Sequence, residues 1–207
     1  DIPFKDLKVE FKNENSRFIE VDGILVHYVD EGEGPPIILL HGTGASLHTW
    51  DLWTEKLKEN YRVLSITLPG FGLSGPRLDK RYEIKDYVDF LDNFVELVGI
   101  EKFHLVGNSL GGSIAWLYSS FYDEKIKKLV LINSSGFEMV EIPFVIRIAR
   151  NKFLNFLVKK TSAKFLIKKS LKEVYYDDKL ISKSIIDRYY KLNLREGNRQ
   201  AFIDRAL

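Results

Sequence analysis

Ser109 stands in Gly107-Asn108-Ser109-Leu110-Gly111, a G-x-S-x-G pattern, and Gly112 follows at once. A serine hydroxyl is a weak nucleophile unless a base can take its proton and fixed dipoles can receive the charge that develops on the group it attacks. The apolar run from Phe103 to Val106 reads as a strand, and Ile114, Ala115, Leu117 and Tyr118 read as the buried side of a helix. The serine is therefore expected on a sharp strand-to-helix turn. Such a turn strains the backbone, and Gly107, Gly111 and Gly112 leave room for it. A serine at a helix start also lies beside backbone N–H groups and the positive end of the helix dipole. The chemistry that suits this arrangement is attack on a carbonyl carbon.

A second small-residue stretch, His41-Gly42-Thr43-Gly44, follows the apolar run Ile37 to Leu40. It can aim another N–H at the same point in space, so the N–H groups of Thr43 and Leu110 are the expected oxyanion donors, with Gly44 as the alternative to Thr43. His41, Gly42, Gly44, Gly107, Asn108, Gly111 and Gly112 are the expected supports of the two turns. The histidines, His27, His41, His48 and His104, all precede Ser109. Structural roles are expected for them, with His41 and His48 shaping the oxyanion loop and His104 within a strand. No general base is visible, and a serine without one hydrolyses poorly.

The elements that must hold these residues follow from the hydrophobic pattern. Arg17 to Val21 and Ile24 to Asp30 read as a hairpin turned by Asp22-Gly23. Ile37 to Leu40 reads as a strand covered on both faces, Trp50 to Leu57 as a helix and Tyr61 to Ile66 as a strand. From Ile84, the residues Tyr87, Val88, Leu91, Phe94, Val95 and Val98 recur at helical spacing, with Asp86, Asp89, Asp92 and Glu96 on other faces and Gly99 as the stop. Lys128 to Ile132 is expected as one more buried strand. Alternating strands and helices predict an α/β fold, a mostly parallel sheet with helices on both faces. After Gly136, Pro143 to Val158, Ala163 to Val174 and Ser182 to Leu194 read as helices without strands. The chain divides into a core part, residues 1–136, and a helical lid, residues 137–207.

The 207 residues, 45% hydrophobic, suffice for one sizeable core. A net charge of +2, from 31 basic and 29 acidic residues, gives no pull toward nucleic acid. The absence of cysteine excludes a disulfide framework, thiolate metal sites and a cysteine nucleophile, and suits the cytoplasm. No apolar run approaches the roughly 18 residues of a membrane span, and the first residues lack the apolar core of a signal peptide. The chain begins with Asp1 rather than Met, so removal of a leader, anchor or tag stays open.

The segments LLHGTGASLHTW, LPGFGLSG and LVGNSLGGSIAW together resemble the α/β-hydrolase fold superfamily in its lid-bearing branch, and the resemblance covers essentially the whole chain. It implies Ser109 as nucleophile and Thr43 and Leu110 as oxyanion donors. It implies no metal and no organic cofactor. In that family the triad runs Ser, then Asp or Glu, then His, the last two on loops beyond the lid. This chain ends at Leu207, so the C-terminal strands, the acid and the His are expected in a segment absent here. Some branches place the acid earlier, which nominates Glu138 or Glu141, with a solvent-facing role for Glu138 as the alternative. Thr67 departs from the Asp that usually precedes the LPGFGLS loop, which bears on loop bracing.

The family spans esterases, lipases, C–C bond hydrolases, dehalogenases, epoxide hydrolases and perhydrolases. A small apolar carboxylic ester is the leading expected substrate, because the lid is apolar. Asn108 before the serine is shared with hydrolases of vinylogous diketones, which gives a C–C bond hydrolase as the alternative, and a non-catalytic binding protein is the rival from another class. Basic residues from Arg147 to Lys172 interleave with apolar ones, a pattern fit either for an anionic membrane surface or for a lid with solvated lysines outside. Arg188, Arg195 and Arg199 are candidates to contact an acidic substrate.

Overall fold

The structure is a computed structural model that describes residues 1–136, 144–151 and 164–206. The chain opens with α1 (Phe4–Phe11), which the pattern analysis did not anticipate. Its Leu7 is buried with Leu73 and Leu192, so the helix clamps the start of the chain onto a loop and a helix far along it. The hairpin follows as expected, β1 (Ser16–Val21) pairing antiparallel with β2 (Ile24–Glu31). Both turn residues take positive φ, Asp22 at 51° and Gly23 at 74°, as a two-residue turn matched to strand twist requires.

Next come β3 (Pro36–Leu40), a 3-10 turn at Leu47–Trp50, α2 (Asp51–Leu57), β4 (Arg62–Ile66), α3 (Ile84–Leu97), β5 (Phe103–Asn108), α4 (Leu110–Phe121) and β6 (Ile126–Ile132). The 6-stranded sheet has the order β1-β2-β4-β3-β5-β6, with β4, β3, β5 and β6 mutually parallel. Side chains alternate across β3: Ile38 and Leu40 join the core under α3 and α4, while Ile37 and Leu39 pack with Trp50, Val63 and Val106 on the other face. This is the expected α/β layering. The register then fixes the site, because Leu40 lies opposite both Ile66 and Gly107, so the loops leaving β3, β4 and β5 start side by side at one edge of the sheet.

Two expectations need correction. Asp86 does not sit on an open face of α3; it is 3% exposed, because it closes a capping box by accepting the Glu83 N–H at 2.9 Å and pairs with Arg81 at 2.7 Å. The strand expected over Lys128 to Ile132 forms as β6 but is not buried: Leu129, Val130 and Leu131 are 37%, 44% and 39% exposed. Apolar residues predict a covered strand only if something covers it, and among the described residues β6 pairs with β5 alone.

Beyond Gly136 the described residues form α5 (Phe144–Arg150), α6 (Lys164–Val174), α7 (Lys183–Asn193) and α8 (Asn198–Ala206). The first helix was expected over Pro143 to Val158; its described part ends at Arg150, and residues 152–158 lie outside the described residues. Ser182 caps α7 by accepting the Ile185 N–H at 3.1 Å. The unanticipated α8 sends Ala201, Phe202 and Ala206 into the main core. At its start Asn198 is buried and donates to the carbonyls of Gly72 and Leu192, each at 3.0 Å, which ties the C-terminal helices to the loop after β4. No helix among the described residues is long and apolar enough to cross a membrane.

Candidate active site

Ser109 occupies the single-residue turn between β5 and α4 with φ 51° and ψ −113°. A non-glycine residue rarely holds such angles, and the surroundings over-determine them here. The Ser109 N–H donates to the Ile132 carbonyl at 3.1 Å, its own carbonyl accepts from Ser135 at 3.2 Å and from Ser113 at 3.1 Å, and the Asn108 side chain donates to the Ile132 carbonyl at 3.1 Å. The glycines are there for space. A Cβ on Gly107 would lie 2.2 Å from the Gly111 carbonyl oxygen, one on Gly111 2.2 Å from that of Leu40, and one on Gly112 2.7 Å from the Ser134 side chain. Leu110, the first residue of α4, has an N–H with no intrahelical acceptor.

The loop after β3 reaches the same turn: a Cβ on Gly42 would sit 3.0 Å from Asn108 Oδ1 and 3.2 Å from the Ser109 Cβ. Its shape is set from beneath by His41, which is buried. The Nδ1–H of His41 donates to the Gly42 carbonyl at 2.7 Å and its Nε2 accepts the Leu68 N–H at 3.0 Å, which requires the neutral ring. Gly44, at φ 74°, turns the chain, and Ala45 donates to the Gly42 carbonyl at 3.2 Å. His48 joins the loop to α1 by bonding Ser46 at 2.9 Å and the Phe11 carbonyl at 2.9 Å. Thr67, where Asp was the familiar residue, braces the loop with its hydroxyl, which accepts the Leu47 N–H at 3.2 Å. Thr43 points its hydroxyl at Arg205 of α8, whose guanidinium donates to it.

Among the described residues the bonds of His27, His41 and His48 run to loops, a strand and α1 of the fold. His27 lies in β2 and His104 in β5. Among the described residues no histidine or carboxylate is hydrogen-bonded to Ser109, and Glu138 and Glu141 lie outside the described residues. Burial is the main cause that lowers His27 to a pKa of about 3 and His41 and His48 to about 4; Lys8 and His48 add repulsion at His27, and Arg188 at His48. Each folded value is below the unfolded one of about 6.5, so the unfolded state binds more protons in acid. Stability from these groups is full above about pH 6.5 and is lost as pH falls toward about 4 for His41 and His48 and about 3 for His27, each contributing a slope of up to about 1.4 kcal/mol per pH unit. Thermal unfolding should show Tm falling through this window, with a shallower fall in His48→Asn; a flat Tm from pH 7 to 5 would contradict this account.

The arginines that were candidates for contact with an acidic substrate each have a neighbour in the fold. Arg188 pairs with Asp51 at 3.2 Å, Arg199 with Asp1 at 2.7 Å, and Arg195 stacks over the Phe4 ring at 5.2 Å. In the basic stretch, Lys164 pairs with Asp187 at 2.7 Å and Lys172 with Asp178, while residues 152–163 lie outside the described residues. Sequence reasoning missed Arg205, a charged side chain that reaches Thr43 in the loop beside Ser109, because nothing local distinguishes it from other arginines in a helix.

A family model described as alpha/beta hydrolase fold matches residues 35–166, a span that contains both turns. 2-Hydroxymuconate semialdehyde hydrolase from Pseudomonas sp. (strain CF600) is 27% identical over 193 residues, covering 91% of this chain and 65% of its own length. Epoxide hydrolase 4 from Mus musculus is 35% identical over 118 residues, covering 56% of this chain and 33% of its own. Among solved structures, the meta-cleavage product hydrolase CumD from Pseudomonas fluorescens IP01 matches with 28% identity and a TM-score of 0.76, covering 90% of this chain and 66% of that one. The chain thus spans about a third to about two thirds of the length of these relatives. With the parallel sheet, the strained serine turn and a family match over more than half its length, the chain belongs to the alpha/beta hydrolase fold family.

Proposed function

We propose that the chain carries the nucleophile and oxyanion donors of a serine hydrolase acting on a small apolar carboxylic ester. The observation that carries this reading is the strained backbone of Ser109, held between β5 and α4 directly beside the loop at Gly42 and Thr43. Ser109 Oγ attacks the ester carbonyl and its proton passes to a base. The N–H groups of Thr43 and Leu110 receive the oxyanion, and the alcohol leaves with the proton. Water then adds to the acyl-enzyme and restores the hydroxyl, with the acid as second product. α5 to α8 form the lid in this reading. The base and its carboxylate partner come from outside the described residues, and the exposed flank of β6 supports a place for further strands to carry them.

Serine favours carbonyl substrates over epoxides. Opening an epoxide with a serine oxygen would leave an ether, which water does not cleave, whereas an acyl-serine is an ester that it does. A second reading, C–C bond hydrolysis, is supported by the 2-hydroxymuconate semialdehyde hydrolase whose likeness extends over 91% of this chain. There a carbanion stabilised by a conjugated carbonyl replaces the alcohol as leaving group and takes up the proton. The test is to compare turnover of 4-nitrophenyl butyrate with loss of 2-hydroxymuconate semialdehyde absorbance. Nitrophenol release that Ser109→Ala lacks is the expected result. Semialdehyde loss without it would favour the second reading, and neither would leave a binding protein.

A further inference from the structure

Arg205 is a charged residue, bonded to the loop beside Ser109, that the mechanism above does not use. It lies on α8 between buried Ile203 and Ala206 and is itself half-buried. Its guanidinium donates to the Thr43 hydroxyl, one residue beyond the glycine that abuts Ser109. A hydroxyl accounts for one of the five N–H groups of an arginine and balances none of its charge. Among the described residues no carboxylate pairs with Arg205; its neighbour Asp204 is taken by Gln200 at 2.6 Å. Arg150 adds a second positive charge close by, with its Nε donating to the Ala206 carbonyl at 3.1 Å. Arg17, Arg62, Arg77, Arg81, Arg188 and Arg199 each hold an aspartate, whereas Arg195, also without a carboxylate among the described residues, lies over the Phe4 ring and donates to the Glu196 carbonyl at 3.2 Å. An arginine drawn out of water without a counter-ion is costly, and the planar fork is the natural partner of a carboxylate.

Resting on the serine-hydrolase reading but narrowing its substrate, we infer that Arg205, with the Thr43 hydroxyl, forms a subsite for a carboxylate carried by the substrate, so that the small ester cleaved is apolar around its reactive carbonyl and bears an anionic end. A half-ester of a dicarboxylic acid is the simplest such compound. Because Thr43 also supplies a proposed oxyanion donor, a carboxylate clamped there orients the carbonyl toward Ser109. Arg205 is in this sense a specificity-determining residue, separate from Arg188, Arg195 and Arg199.

The test uses the protein as its gene encodes it, in a Ser109→Ala background so that binding is read without turnover. Isothermal titration calorimetry compares monomethyl glutarate with dimethyl glutarate. The expected result is tighter binding of the half-ester, lost about 10- to 100-fold in Arg205→Gln with the diester unchanged. Equal binding of the two compounds, or a preference that survives Arg205→Gln, would overturn the inference; the latter would mean that another group of the protein neutralises the arginine. Should Arg205→Gln fail to fold, Arg205→Lys, which keeps the charge and loses the fork, is expected to weaken only the half-ester, and an unchanged ratio would equally sink it. Half-ester binding that depends on Arg205 in a protein with an unreactive Ser109 would retire the hydrolase reading and leave the carboxylate site standing.

Discussion

Replacing Ser109 by alanine is expected to lower kcat on a cleavable ester by a factor on the order of 10⁵ to 10⁶ while leaving substrate affinity within a few-fold. The asymmetry follows from the placement of the parts. The serine oxygen is the atom that forms the new bond, whereas the proposed oxyanion donors are backbone groups that the substitution does not touch. The turn should also survive. Its angles are fixed by the bonds from Ser109 to Ile132, Ser113 and Ser135, all made by the main chain of residue 109. Alanine tolerates φ 51° no better than serine, so Tm should change little. A variant that kept a tenth of wild-type turnover would place the nucleophile elsewhere.

The second large effect is structural. Gly111→Ala would put a methyl group 2.2 Å from the Leu40 carbonyl oxygen and 2.8 Å from that of His41. These are backbone atoms in the central strand and in the loop that abuts Ser109, so no rotamer change can relieve the contact, and α4 must move away from the sheet. A cost of about 3 kcal/mol or more is expected, read as a fall in Tm of roughly 10 °C. Gly99→Ala is the control, because that site has open space and only the penalty of φ 69°; a loss of about 1 kcal/mol is expected there. Equal stability of the two variants would refute the view that glycine at 111 is required for close packing.

These two positions were legible in the sequence, and the reason is local. Ile37 to Leu40 and Phe103 to Val106 are apolar runs followed at once by small residues, a signal that needs no knowledge of the rest of the chain. Asp22-Gly23 likewise announces its own turn. What escaped notice depends on distant partners. α1 follows Pro3 without a side-chain cap, so its start carries no polar signal, and its Leu7 is buried only because Leu73 and Leu192 cover it. Asp86 looks like a solvent-facing helix residue until Arg81 and the Glu83 N–H turn toward it. β6 has the composition of a buried strand and the exposure of an edge. Arg205 gains meaning only when folding brings it to Thr43, far back in the chain.

The central claim is that Ser109 is a nucleophile activated for attack, and intact mass spectrometry after treatment with a fluorophosphonate probe tests it most directly. The account predicts a single adduct on the protein as its gene encodes it, absent from Ser109→Ala and blocked by a competing ester. Absence of any adduct on folded protein, or an adduct that persists in Ser109→Ala, would contradict it.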